Sequence, residues 1–98
     1  MPANLASIGA FAFQRCAFKA VTLPENLKSI GGWAFFRCYQ LESIDIPDSV
    51  IEIERCAFFE CTAIKSINVQ SERVKQLVIN SESGIDPNII HVVNESIE

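Results

Sequence analysis

The stretch PENLKSIGGWAFFRCYQLESIDI, residues 24–46, is followed by PDSVIEIERCAFFECTAIKSINV, residues 47–69, and preceded by PANLASIGAFAFQRCAFKAVTL, residues 2–23. Aligned at their prolines, these blocks of 22 or 23 residues share seven columns: Leu5/Leu27/Val50, Ile8/Ile30/Ile53, Ala12/Ala34/Ala57, Phe13/Phe35/Phe58, Cys16/Cys38/Cys61, Val21/Ile44/Ile67 and Leu23/Ile46/Val69. So many matched columns over three blocks do not arise by chance, and a repeat of this length means a stacked architecture.

The spacing within one block gives its local structure. Ile44-Asp45-Ile46 and Ile67-Asn68-Val69 alternate apolar and polar, the period of a strand with one buried face. Pro24 and Pro47 end each strand, because proline has no N–H to give a ladder. Leu27 to Ile30 and Val50 to Ile53 space two hydrophobes three apart, consistent with a short second extended pass. Ala34, Phe35, Cys38 and Leu41 fit a single helical or 3₁₀ turn. One such coil cannot bury its apolar face alone and must stack on its neighbours.

The pattern Pro-x-x-Val/Leu-x-x-Ile-x-x-x-Ala-Phe-x-x-Cys-x-x-Leu-x-x-Ile-x-Ile resembles the BspA-like, or Treponema-type, class of leucine-rich repeats over Pro2 to Val69. The resemblance implies an α/β solenoid: a right-handed superhelix with short parallel strands, made of repeats 2–23, 24–46 and 47–69 and a helix-strand capping unit 70–98, all in one domain. The first block departs by a one-residue deletion after Cys16, so Phe18 or Lys19 takes the place of the usual leucine. Glu54 and Arg55 stand where Gly31 and Gly32 precede the Ala-Phe pair. Local irregularity is expected at both places.

After Val69 the pattern changes. Ser71 is an N-cap candidate for a helix with Val74, Leu77 and Val78 on one face. Asn80 to Asn88 reads as a loop and Ile89 to Val93 as a strand, with Val92 lying 23 residues after Val69. The expected tail is a degenerate fourth coil in which a true helix replaces the helical turn and closes the core. Met1 runs directly into the first repeat, so the strand Val21 to Leu23 is expected to be an open edge, available for pairing in a homodimer through the N-terminal repeat.

In-register stacking places Thr22, Asp45, Asn68 and His91 in one outward ladder, and Ala20, Ser43, Ser66 and Ile89 in another. Thr22, Ser43, Asp45, Ser66, Asn68 and His91 are therefore the candidate partner-binding residues. They form either a recognition strip for an extended peptide or protein surface, or simply a solvated sheet face. Trp33, Tyr39, Phe36 and Phe59 form either an exposed aromatic patch or ordinary packing between turns, the more usual fate of large aromatics.

Composition limits the partners. Eight Lys+Arg against twelve Asp+Glu leave a net charge of −4, without the basic clusters that nucleic acid or anionic membrane require. No apolar run reaches the ~20 residues of a membrane span. The N-terminal residues lack a basic n-region and a long apolar stretch, so no secretory signal is visible. Cys16, Cys38, Cys56 and Cys61 are expected to be free, three of them as a buried row. A cytoplasmic location is the corresponding expectation, or the cell surface if the chain is a fragment.

Catalysis is not expected. A Ser66-His91-Asp45 arrangement would lie on an open face with Asp45 two rungs from His91, where nothing orients the pair. Cys38, Cys56, Cys61 and His91 lack the close Cys-x-x-Cys spacing of a zinc site. There is no phosphate loop or nucleotide fingerprint, and no cofactor is expected. The resemblance implies a non-enzymatic protein-interaction module, in a class whose members are often adhesins. The alternative is a structural segment that caps a longer solenoid or self-associates.

Overall fold

The computed structural model describes residues 5–93. The start of the first block, Pro2 to Asn4, and the end of the capping unit, residues 94–98, lie outside the described residues. The elements are β1 (Ser7–Ile8), β2 (Ala20–Thr22), β3 (Ser29–Ile30), β4 (Ser43–Asp45), β5 (Glu52–Ile53), β6 (Ser66–Val69), α1 (Glu72–Asn80) and β7 (Ile90–Val92). They form two parallel sheets, β1-β3-β5 and β2-β4-β6-β7. The chain is a repeat solenoid. Its strands pair at the block spacing: Val21 with Ile44, Ile44 with Ile67, and Ile67 with Ile90.

A third row of backbone bonds joins the coils where the sequence suggested a helical turn. There is no helix there. The amides of Phe13, Arg15, Phe35 and Arg37 donate to Ala34, Phe36, Ala57 and Phe59 of the next coil, at 2.8 to 3.0 Å. The intervening amides close i→i+3 turns, as in Ala34 to Gly31, Phe36 to Trp33 and Cys38 to Phe35. Successive N–H groups thus serve the neighbouring coil and their own turn in alternation, which leaves few buried donors unpaired. A turn that leaves every second amide for its neighbour needs left-handed backbone at recurring places. Phe11, Trp33 and Cys56 occupy one such column and Arg15, Arg37 and Glu60 the other, with φ between 57° and 61°.

These columns correct a second expectation. Glu54-Arg55 introduces no irregularity, because Cys56 takes the same φ as Trp33. The substituted groups even join the ladder: the Glu54 carboxylate accepts from the Gly32 amide at 3.2 Å and the Arg55 carbonyl from the Trp33 amide at 3.1 Å. Gly31 is required for another reason. A Cβ there would lie 2.6 Å from the backbone of Gly9 and Ala10, where the first and second coils meet.

In the first coil the register β2 to β4 puts Phe18 opposite Leu41, so Phe18 fills the leucine column. It does so poorly. Phe18 is 44% exposed whereas Leu41 is fully buried, and the Phe18 ring lies edge-on to that of Phe13, with centroids 6.1 Å apart.

The interior is a set of columns. Leu27, Ile30, Ala34, Phe35, Leu41 and Ile44 of the second coil are fully buried, as are Val50, Ala57, Phe58 and Ile67 of the third. Phe13, Phe35 and Phe58 stack face to face, with successive centroids 5.5 Å apart. Beside them the Cys38 thiol donates to the Phe13 carbonyl and the Cys61 thiol to that of Phe35, at 3.1 and 3.0 Å. All four cysteines are free, and Cys16 is the least buried of them. The hydrogen-bonded Cys38 sulfur and burial hold the Cys61 thiol well above the usual range. The Cys61 sulfur is a packing atom and hydrogen-bond donor rather than a reactive thiolate.

The C-terminal unit also differs from expectation. Helix α1 replaces the second extended pass, not the turn: it follows β6 directly and covers β5. Its N-cap is Ser71, whose hydroxyl accepts from the Val74 amide, and Val74 and Val78 face the core. A helix uses its N–H groups internally and cannot extend a ladder. Arg73 supplies donors instead, from its guanidinium to the carbonyls of Val50 at 2.8 Å and Asp48 at 2.5 Å. The turn row is closed by two buried serines. Ser81 accepts the Cys56 amide through its carbonyl, and the Ser83 hydroxyl accepts the Phe58 amide at 3.0 Å. Pro87–Ile89 is a 3₁₀ turn, so the last strand begins at Ile90 rather than Ile89.

Phe35 lies at the centre of the ring stack, and Phe35→Ala is expected to cost ~3–5 kcal/mol, approaching the whole stability of so small a fold. Urea denaturation monitored by circular dichroism checks this; a near-neutral result contradicts the column assignment.

Candidate functional site

The outward face of β2-β4-β6-β7 carries the polar ladder. Strand alternation buries Val21, Ile44 and Ile67 and turns Thr22, Asp45 and Asn68 outward, while register sets them side by side with His91. They are chemically linked. The Asp45 carboxylate accepts from the Asn68 amide at 2.7 Å through one oxygen and from the Thr22 hydroxyl at 3.3 Å through the other. Exposed contacts of this kind contribute little stability but fix side-chain direction. His91 is exposed beside Asn68, and Ser43 and Ser66 are half-buried on the same face, one residue pair earlier along the strands.

Asn68 stands between Asp45 and His91. The carboxylate is therefore not in contact with the imidazole, and no Ser66-His91-Asp45 relay is assembled. Among the described residues, no three His, Cys, Asp or Glu side chains cluster in a way that could hold a metal ion. No helix of the described residues is long and apolar enough to cross a membrane.

An open groove of 670 Å³ runs across the ends of the strands, where the chain turns at the prolines. Of the sequence candidates it takes Thr22, Asp45 and Asn68. Ser43, Ser66 and His91 lie on the sheet but not in its lining. Its other wall is formed by Glu25, Asp48 and Gln70, with Val93 at one end. Among the described residues three carboxylates line it and no Lys, Arg or His does, although Asp48 is approached by Arg73 at 3.6 Å and by the Ser71 hydroxyl at 2.6 Å. Glu25 and Asp48 were missed in the sequence. The signal was present: both directly follow the repeat proline.

The aromatic side chains divide. Trp33, Phe36 and Phe59 pack with centroids 5.1 to 6.1 Å apart, and Phe11 stacks on Trp33 at 6.0 Å. They form a half-buried row that packs coil to coil, with Phe11 46% exposed at its end. Tyr39 is not part of it; it lies 53% exposed beside Arg15 and Gln40.

The family described as BspA type leucine-rich repeat region (6 copies) matches residues 1–86. No curated protein and no solved structure matches the chain.

Because the Asp45 hydrogen bonds are exposed, Asp45→Ala is expected to change folding stability by no more than about 0.5 kcal/mol. Thermal melting of the variant beside the parent chain measures this; loss of folding would mean the strand faces are inverted.

Proposed function

The chain belongs to the BspA-type leucine-rich repeat family, whose repeats generally serve as protein-interaction modules, and from that premise we propose that it binds a protein or peptide through the face of its four-stranded sheet. The observation that carries this is the Thr22–Asp45–Asn68 hydrogen-bonded row, which holds exposed polar groups in fixed directions beside a groove. Side chains already ordered lose less entropy when a partner docks. His91, Ser43 and Ser66 extend the surface along the sheet. The uncompensated carboxylates of Glu25 and Asp45 favour a partner segment bearing Lys or Arg. In this reading the molecule is a non-enzymatic right-handed superhelix of repeats 2–23, 24–46 and 47–69, with 70–98 as the cap, and an adhesin-like role is one use of such a surface.

A second reading, association through the first coil, is favoured by a different observation. Ala12, Phe13 and Cys16 are less buried than their column mates Ala34, Phe35 and Cys38, and β1 and β2 lie at the edges of their sheets. Stacking of another coil there would complete those columns, as in a homodimer or a longer solenoid.

One experiment separates the two readings. Selection from a random displayed-peptide library is expected to enrich Lys- or Arg-bearing peptides whose affinity falls about tenfold, or 1.4 kcal/mol, in Asp45→Ala and Asn68→Ala variants of unchanged melting temperature. Binding that ignores both substitutions rejects the sheet face. A concentration-dependent mass by light scattering that persists in reductant, with no peptide enriched, supports association through the first coil instead.

A further inference from the structure

A second pocket lies before the strands begin, at the opposite end of them from the acidic groove, where the chain leaves the turn row. It has a volume of 370 Å³ and is lined by Arg15, Cys16, Ala17, Arg37, Tyr39 and Gln40. Two guanidinium groups, a phenol and a primary amide all offer hydrogen-bond donors, and among the described residues no carboxylate lines it. On a chain of net charge −4 this is a local reversal of sign.

The two arginines are held there by the fold. Arg15 and Arg37 occupy the same left-handed column of adjacent coils, with φ of 58° and 57°. Every residue of the two left-handed columns, Phe11, Trp33, Cys56 and Glu60 included, adopts that conformation without being glycine, so it is the stacking of the coils that fixes where the arginines stand. Their environments then differ. The Arg37 Nε donates to Glu60 at 2.7 Å and its guanidinium carbon lies 4.8 Å from the Phe36 ring centroid, which fixes the plane of the fork. Arg15 has no acidic partner among the described residues, so the row reads cation, cation, anion from the first coil to the third. The charge left over is that of Arg15, which lines the same pocket as Arg37.

We propose that this pocket is an oxyanion-binding site, in which Arg15 and the Nη groups of Arg37, assisted by Tyr39 and Gln40, hold a phosphoryl or carboxylate group. Paired guanidinium groups suit these anions because the planar fork matches two oxygens at once. Bound there, the anion neutralises Arg15 and removes the repulsion between stacked cations. The site is separate from the sheet-face row and does not depend on the partner proposed for it.

The test uses the whole chain with ¹⁵N spectra of the backbone and arginine Nε–H groups, titrated in turn with inorganic phosphate, sodium acetate and, at matched ionic strength, sodium chloride. Saturable shifts confined to Arg15, Arg37, Tyr39 and Gln40 are expected with phosphate, acetate or both, and not with chloride; whichever saturates identifies the phosphoryl or the carboxylate chemistry. Arg15→Gly is the decisive variant, since glycine adopts the same φ without strain and the fold is retained. Its affinity for the saturating anion is expected to fall at least tenfold while its melting temperature stays level or rises. Shifts that match chloride, or affinity unchanged in Arg15→Gly, overturn the proposal.

Discussion

Everything in this molecule depends on one constraint: the backbone of each coil must hydrogen-bond to the backbone of the next, some 22 or 23 residues on. Strands of two to four residues have too few bonds to persist as isolated pairs. Stacked in parallel register they become continuous ladders, and the apolar column beneath each ladder is what holds the coils at the ladder spacing. The register therefore sets both the core and the surface. The same offset that places Phe13, Phe35 and Phe58 ring on ring inside places Thr22, Asp45 and Asn68 in one hydrogen-bonded row outside. A slip of one residue along a strand would exchange the two faces.

The two ends of the stack are treated differently. At the C-terminal end the four-stranded sheet ends on β7, while the second extended pass and the turn row are brought to a stop by groups that satisfy their bonds without offering new ones. These are a helix with its amides turned inward, the Arg73 guanidinium on the carbonyls of Asp48 and Val50, and the Ser83 hydroxyl under the Phe58 amide. At the other end Phe11 and Phe18 remain 46% and 44% exposed. The sheet itself has a further asymmetry, since carboxylates gather where the strands end and guanidinium groups lie before they begin. A module with a small overall charge thus presents two regions of opposite sign, each generated by a repeated column.

Much of this was legible in the residues. The seven columns gave the coil length, the strand pairing and the identity of the buried side chains, because a half-buried strand has a period of two and a stacked coil repeats its apolar positions. Ser71 was legible as a cap for the same kind of local reason. The turn row was not. Its left-handed positions hold Phe11, Arg15, Trp33, Arg37, Cys56 and Glu60, none of them the glycine or asparagine that announces positive φ, and their conformation is imposed by the neighbouring coils. The spacing of Ala34, Phe35 and Cys38 fits a helical turn equally well, so periodicity could not separate the two. Helix α1 was readable as a helix, but its place over β5 depends on which ladder needs an end. Thr22, Asp45 and Asn68 were found through register, whereas Glu25 and Asp48 lie past the proline, outside any strand pattern.

The inter-coil bonds of the turn row are the most direct test of the account, because no helical or locally folded alternative makes them. Scalar couplings across hydrogen bonds, measured on ¹³C,¹⁵N-labelled chain, report which carbonyl each amide engages. The account predicts correlations from the Phe13 amide to the Ala34 carbonyl and from the Phe35 amide to the Ala57 carbonyl, with Ala34 and Cys38 coupled instead to carbonyls three residues before them. Coupling of Phe35 to a carbonyl within its own turn, or to none, would contradict it.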